Sequence, residues 1–236
     1  MWDVLSSRRA GAAENMATDF LLLQHYPHAE RARFRHYEWN EPAFTFGYSQ
    51  KWAFIQSQLP EGRFDLCRRA TGGGLVDHRD DWTYALVIPR GHPLEEVRAA
   101  QSYRDVHEAL ASALRSCGIA AEAKLVCDPK PEGDGCGPAG VCFQRAELYD
   151  VVGPDGVKLA GAAQKRSKRG LLFQGSVAKA AVGPAVDWDQ FEEAFITTLA
   201  GPLGTEGERC AWPEFAEGEL DALSEQYRSE EWLAYR

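Results

Sequence analysis

The 236-residue sequence contains no apolar run approaching the ~18 residues a membrane-spanning helix needs, so no membrane span is expected. Its start, Met1-Trp2-Asp3-Val4-Leu5 leading to Arg8-Arg9, lacks the basic beginning, apolar stretch and small-residue cleavage site of a secretory signal. The expected location is therefore the cytoplasm. No two of the 6 cysteines (67, 117, 127, 136, 142 and 210) have CxxC spacing, and no two of the 6 histidines form HxxxH or HExxH. A zinc site is not expected, and in a reducing compartment most of these cysteines should be free thiols. Positive charge is scarce: 26 Lys and Arg against 35 Asp and Glu give a net charge of −9, which argues against a nucleic-acid partner.

What is present suits a globular chain, with 44% hydrophobic, 11% aromatic and 26% charged residues, read as one domain over 1–236. Lys165-Arg166-Ser167-Lys168-Arg169 puts four positive charges into five residues. It reads either as a solvated hairpin tip or as a docking patch for an acidic partner.

Periodicity predicts helices over Glu14 to His25, Gln101 to Cys117 (Tyr103, Val106, Leu110 and Leu114, stopped by Gly118) and Asp187 to Leu199. Two short helices are expected between Pro213 and Arg236, with Leu220, Leu223, Tyr227, Trp232 and Tyr235 closing over the core. Strands are expected at Arg33 to Trp39 and Ala43 to Tyr48, paired through an Asn40-Glu41-Pro42 turn, and at Phe64 to Ala70, Trp82 to Ile88 and Ala121 to Val126. Leu148 to Val152 and Val157 to Gln164 read as a hairpin around Gly153-Pro154-Asp155-Gly156, with Leu171 to Val177 pairing next. Asp128 to Gly140, rich in Pro and Gly, reads as a long loop. Runs of strands flanked by a few helices argue for an α+β fold.

Three segments carry candidate chemistry. Arg68-Arg69-Ala70-Thr71-Gly72-Gly73-Gly74 runs on to His78, and its glycines allow a ligand to lie against the backbone. It is neither a GxGxxG fingerprint nor a P-loop, and His78-Arg79-Asp80 lacks the companion motifs of a kinase. Lys158-Leu159-Ala160-Gly161-Ala162-Ala163-Gln164 sets a lysine among small residues that leave room beside its ammonium, although an exposed strand lysine fits the same pattern. Cys142, after the long loop, is either an incidental thiol or a nucleophile whose thiolate a nearby cation favours.

Taken in order, these segments resemble the lipoate–biotin protein ligase and transferase family. The matching pieces are Asn15-Met16-Ala17-Thr18-Asp19, Arg68 to His78, Lys158 to Arg166 and Leu172-Phe173-Gln174-Gly175-Ser176-Val177. They span roughly residues 1 to 200, and the Gly-Arg-Gly-Arg signature of biotin ligases is missing. The resemblance implies an α+β fold of mixed, mostly antiparallel sheets packed with helices, like the catalytic domains of class II aminoacyl-tRNA synthetases and biotin ligases. It implies an acyl chain in a tunnel beside the Gly-rich strand, with Lys158 at the acyl carbonyl. Arg69, Thr71, Gly72, Gly73, Gly74, His78, Gly161 and Ala162 become candidate substrate-binding residues.

Within the family, the chain is more similar to octanoyltransferases that use a loop cysteine. Cys142 precedes Lys158 by sixteen residues, where that nucleophile is expected, and Asp80-Asp81-Trp82-Thr83-Tyr84 resembles the transferases' acidic-x-Thr-Tyr stretch. Gln144-Arg145-Ala146 and the Pro154-Asp155 turn depart from that pattern. The implied reaction needs no cofactor and moves octanoyl or lipoyl from acyl carrier protein to a lysine of a lipoyl-domain protein, such as glycine cleavage H protein or a dehydrogenase E2. Two alternatives stay open. One is an ATP- and Mg-dependent lipoate ligase; the other is a non-catalytic protein that binds acyl carriers.

Overall fold

The computed structural model describes residues 1–25, 30–126 and 146–236. Cys142 and the expected loop from Asp128 to Gly140 lie outside the described residues.

The strands are β1 (Trp2–Ala10), β2 (Arg33–Trp39), β3 (Ala43–Phe46), β4 (Asp65–Arg68), β5 (Leu75–Asp77), β6 (Asp81–Pro89), β7 (Glu122–Ala123), β8 (Val151–Val152), β9 (Lys158–Ser167), β10 (Gly170–Ala178) and β11 (Gly207–Cys210). The helices are α1 (Ala12–His25), α2 (Trp52–Gln58), α3 (Pro93–Glu96), α4 (Ala99–Ser116), α5 (Lys179–Val182), α6 (Trp188–Leu203), α7 (Glu219–Arg228) and α8 (Glu230–Leu233). Eight strands form one sheet in the order β11-β1-β2-β6-β10-β9-β8-β7, and β4-β3-β5 form a second. Pairing is antiparallel from β2 through to β7, while β1 runs parallel to both its neighbours. The result is the expected α+β architecture of mixed, mostly antiparallel sheets with helices.

The period-2 alternation of β6 explains how the large sheet is covered. Trp82, Tyr84, Leu86 and Ile88 point to one face, where they join Phe34 and Phe173 and meet Leu110 and Leu114 of α4 and Phe191, Phe195 and Leu199 of α6. Ala85 and Val87 point to the other, where Met16, Ala17 and Leu23 of α1 and Tyr227 of α7 pack. Burying each large apolar side chain contributes about 1.5–3 kcal/mol. The small sheet packs its Phe44, Phe46 and Leu75 with Ile55 of α2.

Helix ends follow local chemistry. Asp187 caps α6 by accepting from the amides of Asp189 and Gln190, and Gly204 closes it at φ 70°. Asp65 of β4 accepts from Ala12 N at the start of α1, which ties that helix to the small sheet.

Three expectations need correction. The strands at 33–39 and 43–48 do not pair: β2 lies between β1 and β6, whereas β3 lies between β4 and β5. Asn40 bonds back to Ala10 and Pro42 accepts from Asp65, so the intervening residues carry the chain from one sheet to the other. Tyr235 does not close over the core; it is 52% exposed, and its ring stands 5.3 Å from that of Tyr48. The expected strand at Ala121 to Val126 shrinks to the two residues of β7.

Candidate active site

A cavity opens between the two sheets. The large sheet contributes Thr83, Lys158, Gly161, Ala162, Ala163, Gln174, Gly175 and Ser176; the small sheet and its loops contribute Thr45, Arg69, Gly73, Val76 and His78. Met16 of α1 and Tyr37 of β2 complete the wall. Its mixed lining, apolar with a few convergent polar groups, suits a small ligand.

The motifs that look unrelated in sequence meet behind this wall in one buried network. Arg35 donates from Nε to Asp19 Oδ1 at 2.7 Å and from Nη2 to the Asn15 carbonyl at 2.7 Å. Gln174 donates to Asp19 Oδ2 at 2.7 Å, and Thr71 Oγ1 donates to Gln174 Oε1 at 2.7 Å. Asp19 and Arg35 are both buried. This chain of bonds joins α1, β2, β10 and the Gly-rich segment, so the 15–19, 71 and 174 positions act as one scaffold.

The Gly-rich turn is held from below. Arg69 donates to Thr45 Oγ1 at 2.7 Å and to the carbonyls of Gly72 and Gly74 at 2.9 Å each. Gly73 sits at φ 87°, a left-handed conformation that side chains disfavour. Arg68 instead secures the C-terminal segment by donating to the carbonyls of Trp232 and Leu233.

His78 is locked between two partners. Its Nε2 lies 2.7 Å from Thr45 Oγ1 and its Nδ1 lies 2.6 Å from Asp81 Oδ2, while Trp39 stacks on the ring at 4.2 Å. Asp81 also accepts from the hydroxyls of Thr83 and Ser176. Ser176 therefore donates to the carboxylate and not to the imidazole, which is not the order of a Ser-His-Asp triad.

Lys158 opens β9, and its side chain is 7% exposed. Its Nζ lies 2.7 Å from Asp150 Oδ2, and the chain passes over Gly161, where a Cβ would come within 2.6 Å of Lys158 Cε. Glycine at 161 is what leaves room for the lysine beside the strand.

Of the candidates named from sequence, Arg69, Gly73, His78, Lys158, Gly161 and Ala162 reach the cavity wall. Thr71, Gly72 and Gly74 stand behind it in the network and turn just described. The cavity also includes Met16, Tyr37, Thr45, Val76, Thr83, Ala163, Gln174, Gly175 and Ser176, which were not named as site residues. Met16 and Gln174–Ser176 lay within motifs already noted, whereas Thr45 has no sequence signal of its own.

Three cysteines are described. Cys67 is fully buried, and burial pushes its thiol well up from the ordinary range. Partial burial also raises that of Cys117. Neither these nor Cys210 lines the cavity. Among the described residues no group of three or more His, Cys, Asp or Glu is arranged to hold a metal ion, and no helix is long and apolar enough to cross a membrane.

The described residues thus form an α+β domain with a buried lysine at the wall of a cavity between a large mixed sheet and a Gly-rich turn. The chain belongs to the lipoyl protein ligase A/B catalytic domain family, whose model matches residues 11–199. It is 29% identical to octanoyltransferase LipM of Bacillus cereus over 202 residues, covering 83% of this chain and 69% of that one. Octanoyltransferase LipM of Staphylococcus aureus is 27% identical over 273 residues, covering 98% of each. The fold matches that of lipoate-protein ligase A bound with ATP, with a TM-score of 0.72 at 17% identity over 99% of both chains.

Proposed function

We propose that this chain is an octanoyltransferase of protein lipoylation that works through a cysteine thioester. The observation that carries this reading is the placement of Lys158: a buried ammonium at the wall of a largely apolar cavity, seated over Gly161 and backed by Asp150. The similarity to octanoyltransferases along the whole chain supports the same chemistry.

In this reading the octanoyl chain lies between the Gly-rich turn and Gly161–Ala163. Burying six methylenes contributes roughly 5 kcal/mol to binding. The Cys142 thiolate attacks the thioester carbonyl, the donor thiol departs with a proton, and an acyl-enzyme remains. The amine of an acceptor lysine then attacks that thioester, an amide forms, the acceptor nitrogen loses its proton, and Cys142 is released as thiolate. The Lys158 ammonium favours the thiolate and stabilises the oxyanion of both tetrahedral intermediates. Passing from thioester to amide is downhill, so the reaction needs neither ATP nor a metal. The donor is octanoyl-acyl carrier protein and the acceptor a lipoyl-domain protein.

The test is transfer from octanoyl-acyl carrier protein to a lipoyl-domain protein with ATP omitted. Transfer should proceed and should fall on the order of 10²-fold or more in Lys158→Ala. Incorporation that requires ATP and a free acid would assign the ligase reading instead, and binding of the carrier without turnover would assign the non-catalytic one.

A further inference from the structure

Behind Lys158 lies a polar cluster that the transfer chemistry above does not use. Asp150 is 1% exposed, and its carboxylate accepts from three groups on three segments. Lys158 Nζ and the Glu147 amide each lie 2.7 Å from Oδ2, and the Tyr103 hydroxyl donates to Oδ1 at 2.6 Å. The same hydroxyl accepts from the amide of Ala162, a cavity residue, at 3.0 Å. Tyr103 comes from α4, on the helix stripe that packs against the large sheet. A single phenol thus links the helix, the counter-ion of Lys158 and the strand that lines the cavity.

The backbone that presents Asp150 is unusual. Tyr149 has φ 67°, the one positive φ outside glycine among the described residues. Its carbonyl accepts from His107 Nδ1 at 2.8 Å and its amide donates to the Lys124 carbonyl at 2.8 Å. Such a conformation costs about 1–2 kcal/mol and persists only where its surroundings over-determine it.

As a contribution to stability this arrangement is poor, because a buried ion pair gains little over well-packed apolar side chains. As a way of aiming a charge it is effective. Lys158 lines the cavity and Asp150 does not, so the positive charge is presented to a ligand while its counter-ion stays buried beside it.

We propose that Asp150 and Tyr103 are positioning residues that fix the Lys158 ammonium at the reacting carbonyl. The proposal rests on the transferase reading for what Lys158 does, but the position of Lys158 can be read independently of any turnover. Displacing the ammonium by an ångström costs on the order of 10²-fold in rate. Asp150→Asn is therefore expected to lower kcat by that factor with KM unchanged. Tyr103→Phe, which keeps the carboxylate but removes one hydrogen bond, should lower kcat by about tenfold. Asp150→Glu should recover part of the loss.

The second readout is labelling of the folded protein with an amine-reactive ester at fixed pH, quantified at each lysine by peptide mass spectrometry. Lys158 should become several-fold more reactive in Asp150→Asn and Tyr103→Phe, with Lys51 and Lys179 unchanged. Unchanged labelling of Lys158 in both variants would overturn the proposal. So would equal gains at every lysine in Tyr103→Phe, which would mark a purely structural role, or a fall confined to the affinity for substrate. A wild-type enzyme without transfer activity would sink the transferase reading and leave the labelling result to stand by itself.

Discussion

The side chain of Lys158 lies across the face of Gly161, so close that a methyl group there would stand 2.6 Å from Cε and 2.7 Å from Nζ. The same methyl would stand 2.9 Å from Oδ1 of the buried Asp150, so Gly161→Ala should displace the lysine and press on its counter-ion as well. We expect a fall in single-turnover acylation on the order of 10²-fold, with only a modest drop in melting temperature beside it. Gly175→Ala should behave oppositely. Its Cβ would meet the ring of Tyr84 at 2.2 Å, and Tyr84 is packed in the core, so the loss should appear first in stability. Thermal melts and single-turnover rates on the two variants separate these effects.

Arg69 holds the Gly-rich turn by two carbonyls and Thr45 by its hydroxyl. Arg69→Met fills similar space without donors and leaves those buried acceptors unsatisfied. Urea denaturation should show a loss of about 1–3 kcal/mol, and KM for the acyl donor should rise as the turn loosens. A variant with native stability and native KM would show that the turn holds itself.

Much of this was legible in the residue pattern, and the exceptions have physical causes. Helices α4 and α6 were visible because one face of each is apolar at helical spacing, with Gly118 stopping α4 and Asp187 opening α6. The Gly-rich turn and the Lys158 strand were visible because they need particular small residues in a fixed order. Strand β1 was not, since Trp2 to Leu5 are all buried and Ser6 to Arg9 all exposed, which erases the alternation by which a strand is recognised. The partition of β2 and β3 into separate sheets was hidden as well, because a turn containing Pro42 fits a hairpin and a crossing equally. Asp150 carries no motif that would single it out, and Tyr103 is one member of an apolar stripe. Only tertiary contact reveals that they share a hydrogen bond.

His107 provides a pH test. Burial is the main cause that pulls its imidazole down to about 4, opposed by Asp150 and the Tyr149 carbonyl, while Lys158 adds to the lowering. An unfolded histidine titrates near 6.5, so the unfolded chain binds the extra proton between these values. The stability this group contributes is complete above about pH 6.5 and is lost as pH falls towards 4, by roughly 3 kcal/mol in all. His107→Gln should flatten that part of the stability profile relative to wild type. Identical slopes in the two proteins would contradict the assignment.

The Asp19–Arg35 pair lies in the interior, joined to Gln174 and thence to Thr71. Arg35→Met leaves a carboxylate buried without its cation, and chemical denaturation should show a loss of about 3–5 kcal/mol. Asp19→Asn together with Arg35→Met should recover part of it, because the stranded charge is then gone. Failure of the double variant to improve on the single one would mean that the network serves through geometry and not through charge balance.

The most direct test of the transferase account is intact-mass spectrometry of the protein mixed with octanoyl-acyl carrier protein, without acceptor and without ATP. The account predicts a gain of one octanoyl group in the wild type and none in Cys142→Ala. A gain that persists in Cys142→Ala, or a wild-type protein that stays unmodified while acceptor is octanoylated, would contradict a thioester on Cys142.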